Sequence, residues 1–331
     1  MIEVKNLCAK YIVKGKEFRI IQNVSFSIER GETVGLVGES GCGKTTIAKL
    51  LLGLIPLSSG EILFEGKPIH KMKREELFNL RKDCQMIFQD PYGSVNPRMT
   101  VQEIILEPLQ IFKIGTPKER LERVKELLFL VDLDDSFCTR YPHELSGGQR
   151  QRVVIARALA PNPKFLICDE PIAALDVSIQ AQIINLFKEL QEKLGLTYLF
   201  ISHDLAVVKY LANSTLVMYH GQIIERADND ELYEFPLHPY TSILIDSIPI
   251  PDPELEKKRK RPPVWGDPPS PLEQIEGCAF ASRCPKKLDI CSHLFPASIE
   301  ARPHHTVSCH LYQAGQIREV DMVTSHHLNP L

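Results

Sequence analysis

Eight consecutive residues, Gly38-Glu39-Ser40-Gly41-Cys42-Gly43-Lys44-Thr45, fill every fixed position of the pattern G-x-x-x-x-G-K-[ST]. The glycines let the backbone bend so that several N–H groups converge on phosphate oxygens. A helix starting at the end of such a loop adds its favourable N-terminal dipole. Lys44 is then the residue to reach the β- and γ-phosphates, and the Thr45 hydroxyl is a magnesium ligand. The ordinary alternative, a glycine-rich turn with an incidental lysine, fits poorly with an apolar segment directly before the loop and a periodic one after it.

A second group lies far along the chain. Phe165-Leu166-Ile167-Cys168 is an apolar run that ends in Asp169 and Glu170. An acid at the end of a buried strand suits a magnesium shell, and the next acid can polarise an attacking water. A strand ending in a solvated acid pair explains these two residues equally well when they are taken alone.

These residues need elements to hold them. Ile2-Glu3-Val4 and Val24 to Ile28 alternate as half-buried strands do, and Glu32 to Val37 reads as a buried strand running into the loop. Ile47 to Leu52 continues from the loop as an apolar-periodic helix. Thr116-Pro117-Lys118-Glu119 has a capping threonine, a proline at the first helical position and a glutamate to close a capping box. The stripe Leu121, Val124, Leu127, Leu128 and Val131 follows it. Another helix is expected after Gln149 through Arg152 to Leu159, and one from Ser178 to Lys193, ahead of a strand at Tyr198 to Ile201. Strands alternating with helices imply a mainly parallel sheet covered by helices.

Leu145-Ser146-Gly147-Gly148-Gln149 lies just before a predicted helix and some twenty residues ahead of Asp169. With this pentapeptide the chain closely resembles the ABC-transporter ATPases, over about residues 1–245. The resemblance implies an α/β fold: a P-loop ATPase core with a mainly parallel sheet, an N-terminal antiparallel β part and a helical subdomain near residues 90–158. It implies binding of ATP and Mg2+ by Gly38 to Thr45 and by Thr46, with Thr45, Gln89 and Asp169 at the metal. Gln89 resembles the glutamine that meets magnesium and the attacking water, Glu170 the catalytic glutamate, and His203 the histidine that touches the γ-phosphate. Ala174-Leu175-Asp176 resembles the D-loop, and Tyr11 the aromatic residue that stacks on adenine, although a strand tyrosine is also an ordinary core residue. In the family, the signature turn Ser146 to Gln149 closes over the nucleotide of a second subunit. ATP therefore joins two cassettes, and hydrolysis releases them. One cassette in this chain implies a second copy or a paralogue.

The tail narrows the resemblance. Leu237-His238-Pro239-Tyr240-Thr241, Ser247-Ile248-Pro249, Gly277-Cys278 and Arg283-Cys284-Pro285 are similar to the ATPases of oligopeptide and dipeptide importers, some of which carry nickel or other small solutes. Cys168 to Pro171 and Asp176 to Gln182 look most like the second of the two ATPase subunits of such importers. That implies a heterodimer with the first subunit, two membrane permease subunits and an extracytoplasmic solute-binding protein. The solute itself is not encoded in the catalytic residues.

Prolines 249, 251, 253, 262, 263, 268, 269 and 271 mark a linker, so residues 246–331 read as linker and cysteine-bearing extension. Cys278, Cys284, Cys291 and Cys309 cluster there, whereas the other five cysteines are scattered as expected of reduced thiols. The cluster points to metal. The absence of a C-x2-C pair disfavours zinc, and the resemblance to this subfamily's tail implies a [4Fe-4S] cluster, with Zn2+ or no metal as alternatives. His293, His304, His305 and His310 keep mixed ligation open. The basic run Lys257 to Arg261 reads as a solvated part of the linker.

Composition removes other classes. The 331 residues carry a net charge of -3, which argues against nucleic-acid binding by bulk electrostatics. No apolar stretch approaches a membrane span, and the N-terminus lacks a signal-peptide core. The expected place is peripheral, on the cytoplasmic face of a membrane. Two rivals remain: a soluble ABC ATPase of translation or DNA repair, which would bring a second cassette or a long coiled coil, and a regulatory module that binds ATP without cleaving it, which Glu170 and His203 oppose.

Overall fold

The computed structural model describes residues 1–13, 15–249, 266–267, 269–270, 273 and 275–313. The basic run at 257–261 and the prolines at 251, 253, 262, 263, 268 and 271 lie outside the described residues. In chain order the strands are β1 (Ile2–Val13), β2 (Lys16–Ile28), β3 (Thr33–Val37), β4 (Ser59–Phe64), β5 (Lys67–Pro68), β6 (Cys84–Ile87), β7 (Phe165–Asp169), β8 (Thr197–Ser202), β9 (Ser214–Tyr219), β10 (Gln222–Asp228), β11 (Ile299–Arg302) and β12 (His305–Val307). The helices are α1 (Lys44–Leu51), α2 (Arg74–Asp83), α3 (Val101–Ile111), α4 (Pro117–Leu130), α5 (Gly147–Leu159), α6 (Val177–Leu194), α7 (Leu205–Leu211), α8 (Asn229–Glu234) and α9 (Pro239–Asp246).

Among the described residues the strands form two sheets. The smaller is antiparallel, in the order β2-β1-β4-β5, and the larger runs β11-β12-β10-β9-β3-β8-β7-β6. From β9 to β6 the larger sheet is parallel. Every residue of β3, β7, β8 and β9 is buried, as a sheet covered on both faces requires. The register sets strand ends level: Val37 pairs with Ser202, Asp169 with Ile201 and Ile87 with Cys168. The carboxyl ends of β3, β8, β7 and β6 therefore open onto one rim, where ligands of open α/β sheets bind. The segment that follows each of those ends carries a residue singled out above: Lys44, His203, Glu170 and Gln89.

Two apolar cores lie on the two faces of this sheet. One joins α1 to the antiparallel sheet through residues such as Ile47, Leu50, Ile21 and Phe26. The other joins α3, α4 and α5 to α6 and α7. The Thr116–Glu119 capping box forms as the sequence predicts, with Thr116 N–H donating to Glu119 at 2.6 Å. Of the expected α4 stripe, Val124, Leu127, Leu128 and Val131 are buried, but Leu121 is exposed. α5 starts earlier than predicted. Ser146 caps it and exchanges hydrogen bonds with Gln149, so the signature glycines form its first turn.

The cysteine-bearing segment is joined to the main sheet, because β12 pairs with β10 and adds β11 beyond it. A buried imidazole–carboxylate contact secures the junction. His305 Nε2 lies 2.7 Å from Glu225 Oε1, and Glu225 also accepts the backbone N–H groups of Leu237 and His238. No described helix is long and apolar enough to cross a membrane.

Candidate nucleotide site

β3 delivers the chain into the loop at Gly38. A Cβ on Gly38, which has φ 154, would stand 2.2 Å from the Met218 carbonyl oxygen, so neighbouring backbone leaves no room for a side chain. Gly43, at φ 112, caps α1 in the left-handed region without strain. Lys44 is buried and turns back over the loop, donating to the carbonyls of Gly38 at 2.7 Å and Glu39 at 3.1 Å. A cation held over the converging amides is placed for an anionic ligand.

On the opposite side, three separated segments meet at one carboxylate. Gln89 Nε2 donates to Glu170 Oε2 at 3.0 Å, and His203 Nδ1 stands 3.2 Å from the same oxygen. Glu170 has φ 48, a conformation that a side-chain-bearing residue adopts only at a cost, and its N–H is tied to Ile201 O at 3.0 Å. Beside it, Asp169 is buried and hydrogen-bonded to the Thr45 side chain. Burial raises the Asp169 carboxyl above the ordinary aspartate range, while Thr45 and Lys44 pull it down and Glu170 pushes it up. Such a group is stabilised by a bound cation. Thr45 and Asp169, with the Gln89 carbonyl within the same rim, fit magnesium, which keeps several waters and takes few protein ligands. When bound there, magnesium would neutralise phosphate charge.

Ile20, Ser40, Gly41, Gly43, Lys44, Thr45, Thr46, Gln89, Glu170 and His203 line one open cavity of about 470 Å³. Nine of these ten were singled out in the sequence, all but Ile20. Cys42 is buried beneath the loop, and burial raises its thiol pKa. Glu39 turns away: its carboxylate receives Arg283 at 2.9 and 3.0 Å and its N–H donates to Tyr240 Oη at 3.0 Å. Tyr11 is not among the lining residues; it sits on β1 opposite Phe18 and is exposed. Ser146, Gly147, Gly148 and Gln149 are likewise absent from the lining. They pack on the segment after Glu170: a Cβ on Gly148 would lie 2.6 Å from Ile179 Cγ2, and one on Gly147 would lie 3.4 Å from Leu175 Cδ2. Asp176 caps α6 in that segment, where its carbonyl accepts from Ile179 and Gln180.

Sequence reasoning missed Ile20, Arg283 and Tyr240. The last two stand inside stretches that mark the tail, yet nothing in a linear motif says that they reach the loop.

The iron–sulfur expectation is corrected. Among the described residues, no group of three or more His, Cys, Asp or Glu side chains is placed to hold a metal ion, and Cys278, Cys284, Cys291 and Cys309 are free thiols. The physical reason is placement: the side chains do not converge on one point that an ion could share. Burial raises the Cys278 thiol to about 11, the Cys309 thiol to about 12, and Cys284 as well. The segment takes its order from Ala279, Phe280, Cys291, Val307 and Cys309, which are buried with it, and from docking on β10. The zinc alternative fails on the same geometry.

Comparisons with known proteins show the family. Residues 21–173 match the ABC transporter family model, and residues 224–291 match the oligopeptide/dipeptide transporter C-terminal region. The chain is 54% identical over 263 residues to the oligopeptide transport ATP-binding protein OppF of Bacillus subtilis, covering 79% of this chain and 86% of OppF. It is 50% identical over 297 residues to AppF, an oligopeptide transport ATP-binding protein of the same organism, covering 89% of this chain and 90% of AppF. Among solved structures, the dimeric post-hydrolysis ATP-binding cassette MJ0796 bound to ADP and Pi superimposes with a TM-score of 0.64 at 31% identity, covering 69% of this chain and 99% of that one. A loop built for phosphate, an acid pair beside it and these two matched regions place the chain in the ABC transporter family, among the ATP-hydrolysing subunits of the oligopeptide/dipeptide transporters.

Proposed function

We propose that the chain powers import of di- and oligopeptides, as one of two paired ATPase subunits on the cytoplasmic face of a membrane. The observation that carries this reading is the C-terminal region. The segment matching the peptide-transporter family is built into the ATPase: it begins within β10, which pairs with β9 of the main sheet, and it touches the phosphate loop through Arg283. Its relatives OppF and AppF are named for oligopeptide transport.

In this reading Lys44 and the loop amides bind the β- and γ-phosphates of ATP, and Thr45, Asp169 and Gln89 hold Mg2+. Glu170 takes a proton from the attacking water, whose oxygen bonds to the γ-phosphorus as the bond to ADP breaks. Gln89 and His203 fix the Glu170 carboxylate, and His203 faces the γ-phosphate. Tyr11 supplies a ring to adenine from outside the phosphate cavity. The signature turn is absent from the chain's own cavity, which supports its use on a partner's nucleotide, with Asp176 beside it. The paralogous first subunit is the proposed partner. Two permease subunits complete the transporter, and an extracytoplasmic binding protein delivers the solute.

A cleft of about 250 Å³ supports the permease contact. It is lined by Leu54, Phe88, Ile111 and Phe112 among others, with Leu54, Phe88 and Ile111 exposed, and Phe88 directly precedes Gln89. A helix seated there could move Gln89. The test is uptake in cells lacking this chain and in cells carrying Glu170→Gln. Loss of labelled oligopeptide uptake with nickel uptake intact is expected; loss of nickel uptake with peptide uptake intact overturns the peptide assignment.

A further inference from the structure

A phosphate-binding loop that contains a glutamate has an electrostatic problem. Glu39 lies between Gly38 and Ser40, and its carbonyl, like that of Gly38, holds the Lys44 ammonium. A carboxylate there repels the anion that the loop has to bind, unless its charge is drawn elsewhere.

The structure supplies the counter-charge from the far end of the chain. Arg283 Nη1 donates to both Glu39 oxygens, at 3.0 and 2.9 Å, and lies 3.2 Å from Tyr219 Oη. The Arg283 side chain is 8% exposed and that of Glu39 is 27% exposed, so water screens the pair only in part. The guanidinium lies 6.0 Å from the Tyr219 ring centre and 5.9 Å from that of Phe280. Those rings pack with Tyr240 at centroid distances of 4.6 to 5.4 Å. Tyr240 completes the hold by accepting the Glu39 N–H. Glu39 is thus fixed through both side chain and backbone by residues 201 and 244 positions away. Both contacts fall within the C-terminal region matched at 224–291.

We propose that Arg283 is a positioning residue for ATP binding: the C-terminal region neutralises Glu39 and holds the phosphate loop ready, so nucleotide affinity depends on that region. This rests on the reading of residues 38–45 as the nucleotide cradle. A loop with left-handed backbone at Gly38, Gly41 and Gly43 has freedom to lose on binding. Ordering it beforehand lowers that cost.

The test is a cycle of variants in the full chain, read by the equilibrium dissociation constant for MgATP and by its salt dependence. Arg283→Met leaves Glu39 uncompensated and should weaken binding by about tenfold, more at low salt. Adding Glu39→Gln to Arg283→Met removes the repulsion and should recover affinity to within about threefold of the original. Arg283→Lys keeps the charge, which in the original reaches both Glu39 oxygens through the single nitrogen Nη1, so it should lose less affinity than the methionine variant, and it serves as the second arm should that variant fold poorly. A residue that merely stabilised the extension would give equal losses in the single and double variants. That result overturns the proposal, as does unchanged affinity in Arg283→Met. Lys44→Ala is measured beside them. A loss there with none in Arg283→Met sinks this inference alone, whereas unchanged affinity in Lys44→Ala sinks the cradle reading itself.

Discussion

Gln89 and Glu170 stand 81 residues apart in sequence, yet the Gln89 amide donates to the Glu170 carboxylate at 3.0 Å across the open rim of the sheet. The bond links the loop after β6 to the loop after β7, whose strands are paired in parallel. It fixes one oxygen of an acid that already sits at φ 48. A carboxylate held this way is oriented before substrate arrives, and orientation is what a water-polarising base needs.

Glu170→Gln keeps the size and the hydrogen-bonding reach of the side chain but cannot accept a proton. MgATP affinity should stay within about threefold while turnover falls by at least about a hundredfold. Steady-state hydrolysis and nucleotide binding on the same preparation check this. Turnover at the original rate would falsify the assignment of Glu170.

Much of this site was legible in the sequence. The glycine spacing and the lysine at its end announce a phosphate loop because few other backbones need that pattern, and Ser-x-x-Gln before a helix is a local code for a cap. Glu39 shows the limit. Its position in the motif says nothing of Arg283, because their contact depends on how β10, β12 and α9 pack long after the loop is made. The cysteines show it in another way. Their spacing alone cannot separate a ligand set from thiols that merely pack into the extension, since burial and geometry arise from the fold. Leu121 likewise fits the apolar stripe by count, yet lies near the start of α4, ahead of the buried part.

Gly38→Ala tests the loop's backbone. The added methyl would meet the Met218 carbonyl oxygen at 2.2 Å and Cys42 Sγ at 2.9 Å. β9 cannot yield cheaply, because it is buried and paired on both sides. The loop should shift instead and carry with it the Gly38 carbonyl that holds Lys44. The expected result is a loss of stability of about 1–3 kcal/mol together with weakened MgATP binding, read by thermal melts with and without nucleotide. A melt and an affinity both unchanged would show that the loop has slack which this geometry denies.

Gly148→Ala separates binding from pairing. Its methyl would press on Ile179 Cγ2 at 2.6 Å and push the signature turn off α6, while none of the residues lining the phosphate cavity is touched. MgATP affinity of the single chain should therefore hold within about threefold. ATP-dependent association with the partner ATPase, followed by light scattering in a Glu170→Gln background, should weaken by at least about tenfold. Loss of affinity in the single chain would place the signature at its own nucleotide.

Acid should loosen the junction of α9 with the sheet and, through Tyr240, the phosphate loop. His238 is buried, and burial lowers its imidazole pKa to about 4 from 6.5, with Glu225 pulling weakly the other way. Its Nδ1 accepts the Tyr240 N–H at 3.0 Å, a bond that only an unprotonated nitrogen can make. The unfolded chain binds a proton at ordinary histidine pH, whereas the folded chain resists until about pH 4, so between those values the unfolded state holds more protons. Stability should rise with pH across that window and fall on acidification from about pH 6.5 towards 4, by on the order of 3 kcal/mol for this group. Tyr240 also holds Glu39, so the same acidification should weaken MgATP binding. The check is a series of melts from pH 7.5 to 4 for the original chain and for His238→Asn, whose amide oxygen can accept the Tyr240 N–H but does not titrate. The variant should be less stable at pH 7 and show a shallower acid limb. Equal slopes in the two proteins would assign the acid sensitivity to other groups.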